Sequence, residues 1–105
     1  MEQLTLSIKF TAGPESKDRF REGLITLFNI LKSEPNFINA TIHEGIGKPE
    51  EFLVYETWND TMDSFLKRQM GKTYMVEFES LLQELDVKRE PSAYKPLASF
   101  GTHNL

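Results

Sequence analysis

The chain contains no cysteine, which removes disulfide staples, thiolate metal sites, iron–sulfur clusters and a thiol nucleophile together. Histidine is scarce: His43 and His103 are the only two, too few for a histidine-rich metal site within one chain. No apolar run nears the roughly 18–20 residues that span a bilayer, and Met1-Glu2-Gln3 lacks the basic-then-apolar pattern of a secretory leader. Basic residues are outnumbered, 12 against 16 acidic ones, for a net charge of −4. A net-negative chain with no long basic run is a poor binder of polyphosphates, which argues against nucleic acid. The expectation is a cytoplasmic protein without membrane, metal or nucleic-acid partners.

What is present is an ordinary globular composition, 39% hydrophobic and 27% charged over 105 residues. That length suits one domain. Area scaling gives a folded surface of ~6,000 Å² against ~17,500 Å² unfolded, enough for a small two-layer fold but not for a deep private cavity in one copy.

Leu4, Leu6, Ile8 and Phe10 alternate with Thr5, Ser7, Lys9 and Thr11, a strand pattern. Ala12-Gly13-Pro14 ends it, and Ser16 is placed to cap a helix. Phe20, Leu24, Leu27, Phe28 and Leu31 then form a helical stripe, widened by Ile25 and Ile30 and closed by Pro35. Ile38, Ala40 and Ile42 alternate with Phe37, Asn39, Thr41 and His43, predicting a second strand. The Gly45, Gly47 and Pro49 loop leads to a third over Glu51 to Trp58, making a hairpin. Asn59, Asp60 and Thr61 offer caps for a helical piece that Gly71 breaks, and Tyr74, Phe78, Leu81, Leu82 and Leu85 repeat the helical spacing. A short strand over Asp86 to Glu90 meets Pro91, which confines it to an edge or ends it.

The order β-α-β-β-α-β is the α+β, ferredoxin-like split βαβ, an antiparallel sheet with helices on one face. It occupies residues 1–90, and 91–105 form a tail whose Tyr94, Leu97 and Phe100 are spaced for docking. Large apolar groups lie on both faces of the third strand, Phe52, Val54 and Trp58 on one and Leu53 and Tyr55 on the other. A sheet with one wet side does not need both. A homodimer closed face to face or as a barrel would use them, with Tyr94 and Phe100 docked across its interface.

Glu34-Pro35, Phe37-Ile38, a strand ending in His43, and Phe52, Tyr55, Glu56 and Trp58 leading into a helix resemble the antibiotic biosynthesis monooxygenase superfamily. The resemblance runs from about Leu4 to Val87. It implies a dimeric α+β barrel with small-molecule pockets between sheet and helices, and activities that include cofactor-independent oxidation of quinols and polyketide aromatics, haem degradation and isomerisation. Many members carry a His-Leu pair in the helix after the tryptophan strand and a Pro-His pair shortly beyond. Here Phe65-Leu66 and Gln69-Met70 stand there instead, so the resemblance implies no haem ligand.

Glu56 shares a side with Phe52, Val54 and Trp58. A carboxylate among apolar groups must pair or hold a proton. Either it forms an ion pair with Lys9 on the adjacent strand, or it is a desolvated base with a raised pKa. His43 is a solvated strand-end group or a general base, histidine being the side chain that exchanges protons near neutral pH. Asn39 could donate to a substrate oxygen or merely meet water. Trp58 is a core or interface anchor or, with Phe65, a wall that stacks on an aromatic substrate. The combined expectation is a cofactor-independent monooxygenase acting with O₂ on an electron-rich aromatic, a quinol or polyketide-type phenol. Glu56 or His43 would be its base, Asn39 its donor, and Trp58 with Phe65 its pocket wall. A non-enzymatic ligand-binding or stress-response dimer, and an isomerase of a small carbonyl compound, are the alternatives.

Overall fold

The computed structural model describes residues 2–101. Along them run β1 (Leu4–Thr11), α1 (Lys17–Leu31), β2 (Phe37–Gly45), β3 (Lys48–Trp58), α2 (Met62–Gln69), α3 (Thr73–Glu84) and β4 (Lys88–Tyr94). The strands form one antiparallel sheet in the order β2-β3-β1-β4. This is the expected ferredoxin-like fold, with its second helix divided into α2 and α3. Gly71 at the division has a φ of 85°, a left-handed conformation that costs glycine little.

Alternation sends Leu4, Leu6 and Phe10 of β1 and Phe52, Val54 and Trp58 of β3 toward the helices, where all six are buried. Of these, Phe10, Phe52, Val54 and Trp58 join Phe20, Leu24, Leu27 and Leu31 of α1 and Phe78 and Leu82 of α3 in one core cluster. Phe10, Phe20, Phe52 and Phe78 form a ring cluster with centroids 5.1 to 6.2 Å apart, and truncating the fully buried Phe20 to alanine would cost about 3–5 kcal/mol. Ile25 and Ile30 do not widen the stripe: they stay 47% and 41% exposed.

Several boundaries differ from the sequence expectation, each for a local reason. Ser16 holds the N-cap position of α1 without a side-chain bond; its carbonyl accepts from the Phe20 N–H at 2.9 Å. Thr61 does cap α2, its Oγ1 accepting from the Ser64 N–H at 3.1 Å. β3 starts at Lys48, after a tight Ile46-Gly47 turn in which Gly47 has a φ of 73°. Pro49 fits inside this strand because the pairing jumps from Gly45↔Lys48 to Glu44↔Phe52, leaving it outside the regular ladder. A second irregularity, between Phe37 and Asn39, sets Phe37 opposite Trp58. The expected alternation had placed Phe37 with Asn39. β4 runs through Pro91 to Tyr94, a course open to proline on an edge strand. The tail therefore begins at Lys95 rather than Pro91.

The helices cover one side of the sheet. The other side carries Lys9, Asn39, His43, Leu53, Tyr55 and Tyr94, as the pairing register requires. Tyr55 is 49% exposed there and Tyr94 58%. The exposed area of the chain is 7145 Å², roughly a fifth above the ~6,000 Å² usual for a monomer of this mass. Part of the excess is the tail, where Leu97 and Phe100 are almost fully exposed. Residues 102–105, and His103 with them, lie outside the described residues.

Candidate functional site

Glu56 faces the helix layer because it is in step with Val54 and Trp58 along β3. It lies opposite Leu6 on β1 and Ala40 on β2 and is 4% exposed. The expected ion pair with Lys9 does not form. Lys9 pairs opposite Leu53, on the uncovered side, and its ammonium meets Glu51 at 2.9 Å. The hydrogen bond between them raises the Lys9 pKa and lowers that of Glu51. Glu56 is left with another partner: the Trp58 indole Nε1–H donates to its Oε1 at 2.9 Å. Burial pushes the Glu56 carboxyl up to about 7, while the indole hydrogen bond works in the opposite direction.

A pocket of about 100 Å³ lies over Glu56, between the sheet and the helices. Leu6 and Ile8 of β1, Phe28 of α1, Phe65 and Gln69 of α2, Met75 of α3 and Arg89 of β4 contribute to its wall. The Phe65 ring meets Trp58 at 5.0 Å between centroids, and Phe37 packs edge-on to the indole at 5.2 Å. Trp58 is thus clamped, which fixes the direction of its N–H.

Gln69 is 5% exposed. The Tyr74 hydroxyl stands 2.7 Å from Glu34 Oε1 and 2.9 Å from the Gln69 carboxamide. The hydroxyl has one proton, which goes to the carboxylate, so the carboxamide meets it with its NH₂ group. Burial, reinforced by Glu34, pushes the Tyr74 hydroxyl up to about 12, so it remains a donor. Lys72 also approaches Glu34, at 3.6 Å. This chain of bonds fastens α2 and α3 to the end of α1 and holds the Gln69 side of the pocket.

The structure gathers Glu56, Trp58 and Phe65 into one place, but of the two expected wall residues only Phe65 lines the pocket; Trp58 is fully buried and bonds Glu56 from behind. The structure does not bring His43 or Asn39 to them. His43 pairs opposite Leu53 and Asn39 opposite Thr57, both on the uncovered side of the sheet, and the His43 ring packs against Tyr55 at 5.8 Å. Gln69 and Arg89 were missed in the sequence. The first was legible, lying four residues after Phe65 and so on the same helix face. The second was not, since its side depends on a β4 register that the sequence leaves open.

A carboxyl poised near neutrality in an apolar recess can take a proton from an acidic ring hydroxyl or activated methylene. Among the described residues no histidine, aspartate or glutamate side chains gather as a metal-holding group, and no helix is long and apolar enough to cross a membrane.

No curated protein sequence matches this chain. Solved structures do. SnoaB, a cofactor-independent oxygenase from Streptomyces nogalater, is 16% identical over 97% of this chain and 100% of its own, with a TM-score of 0.82. PA3566 from Pseudomonas aeruginosa is 21% identical over 93% and 97% of the two chains, TM-score 0.82. A conserved protein from Methanosarcina mazei Go1 is 23% identical over 90% and 92%, TM-score 0.76. These likenesses establish a shared fold. The sequence profile described as antibiotic biosynthesis monooxygenase matches residues 4–75, a stretch that includes β1, α1, both hairpin strands, α2 and so Glu56, Trp58 and Phe65. The chain therefore belongs to the antibiotic biosynthesis monooxygenase family.

Proposed function

We propose that this protein is a cofactor-independent monooxygenase of an electron-rich aromatic, a quinol or phenol, with Glu56 as its base, Phe65 as a pocket wall and Trp58 behind them holding the carboxylate. The observation that carries the reading is a buried carboxylate, bonded only to an indole N–H, at the floor of an apolar pocket. The indole holds Oε1, which leaves Oε2 to take the substrate proton. The resulting resonance-stabilised anion gives one electron to O₂, and the substrate radical and superoxide combine to a peroxide. Loss of water leaves one oxygen atom in the product, with the substrate as the only reductant. The apolar wall limits water around the anion and the peroxide. SnoaB, of the same fold, is described as a cofactor-independent oxygenase, which supports the reaction class.

The working unit in this reading is a homodimer in the cytoplasm. Its support is the sheet face bearing Leu53, Tyr55 and His43, the exposed area above that of a typical monomer, and a tail whose Leu97 and Phe100 are almost fully exposed. On such an interface His43 and Asn39 would serve assembly or a shared interior rather than the Glu56 pocket.

Oxygen uptake by the purified protein over a panel of single-ring quinols and phenols tests the reading. Substrate-dependent uptake, abolished by Glu56→Gln, is expected. No uptake above blank across the panel overturns it, and turnover that persists without oxygen reassigns the same base to isomerisation.

A further inference from the structure

Among the described residues, Glu56 and Arg89 are the only charged ones lining the pocket. Arg89 stands opposite Phe10 across the β1–β4 ladder, so it leaves the sheet on the helix side. Its guanidinium crosses to α3, where Glu79 receives it with both carboxylate oxygens: Nη1 donates to Oε1 and Nη2 to Oε2, the latter at 3.1 Å. That fork-on-fork arrangement is the one by which arginine recognises a free carboxylate. The two side chains are 37% and 43% exposed, and an ion pair so wet contributes little to folding. Glu79 is therefore a replaceable occupant of the guanidinium.

Size points the same way. The pocket holds about 100 Å³, less than the roughly 150 Å³ of a cavity that admits benzene. One aromatic ring enters only if a wall residue moves, and three fused rings do not fit. Most of the wall is packed apolar side chain, whereas Arg89 is held at its head by an exposed bond that can be exchanged.

We propose that the pocket takes a single-ring phenol or quinol bearing a carboxylate, whose oxygens replace those of Glu79 on the Arg89 guanidinium while the ring hydroxyl lies toward Glu56. The proposal rests on the reading of Glu56 as the base of this site. It adds a substrate class, acidic and monocyclic, to a chain whose net charge of −4 offers no general attraction for anions.

Titration calorimetry of the full chain with 2,5-dihydroxybenzoate, 2,5-dihydroxybenzamide and hydroquinone tests it. The acid should bind at least tenfold more tightly than the amide. Arg89→Gln should erase that difference. Glu79→Gln, which keeps the cation and removes its competitor, should tighten the acid severalfold and leave the amide unchanged. Equal affinity for acid and amide, a preference that survives Arg89→Gln, or no binding of any of the three overturns the proposal. If Arg89→Gln does not fold, Glu79→Gln decides alone, and failure to tighten the acid counts against it. Arg89-dependent binding of the acid without oxygen uptake would leave this specificity standing and refute the oxygenase reading. Uptake with hydroquinone but no preference for the acid would do the reverse.

Discussion

The Trp58 indole N–H donates to the Glu56 carboxylate at 2.9 Å from two residues further along the same inward face of β3. Residues i and i+2 of a strand are side by side, so the strand itself supplies the buried acid with its donor. Phe37 and Phe65 both pack against the indole. Trp58→Phe keeps an aromatic anchor and removes the donor. A lost bond to a charged group, plus the smaller ring, should cost about 2–4 kcal/mol in urea unfolding. The same change should move the Glu56 titration above 7, and an unmoved titration would show that the indole does not hold the carboxylate.

Glu56 makes stability fall with rising pH. Its folded value of about 7 lies above its ordinary 4.5, so between these the folded chain retains a proton that the unfolded chain has lost. The stabilisation is complete below about 4.5, declines as pH rises, and levels off above about 7. The displacement corresponds to about 3 kcal/mol. Urea unfolding of Glu56→Gln at pH 5 and pH 8 should lack this loss, and the variant should be the more stable chain at pH 8. Parallel losses in both chains would contradict the burial argument.

Two ion pairs should differ sharply in worth. Asp60 is 8% exposed and pairs with Arg68, whereas Arg19 and Glu84, 2.7 Å apart, have side chains 60% and 59% exposed. Arg68→Met strands a buried carboxylate and should cost about 3–5 kcal/mol. Arg19→Ala should cost no more than about 1 kcal/mol. Thermal unfolding of the two variants checks the contrast.

Much of this fold was legible because it is written in periodicity. Leu4 to Phe10 at period two and Phe20 to Leu31 at helical spacing put the core where it lies. The irregularity at Ile38 was not, since a bulge is set by how Phe37 packs on Trp58 rather than by a local residue signal. At the site, alternation placed Glu56 with Trp58, but the Lys9 partnership failed on the same rule, because Lys9 and Glu56 point to opposite sides of the sheet. The Gln69, Tyr74 and Glu34 bonds join residues as much as forty positions apart, a link that exists only once α1 and α3 are packed.

Assembly through the uncovered face makes a separable prediction. In sedimentation the intact chain should run as a dimer, and Tyr55→Glu, which sets a charge on that face, should run as a monomer. Removing residues 95–105 should weaken association while sparing β4, which ends at Tyr94. Association unchanged by both alterations would place the interface elsewhere.

The most direct test of Glu56 as the working base is the pH profile of oxygen consumption with a single-ring quinol well below saturation, which reports the free enzyme. Consumption should rise with pH to a plateau around a midpoint near 7, and Glu56→Gln should abolish that limb together with the turnover. A profile without a limb near neutrality, or one that Glu56→Gln leaves intact, would contradict the account.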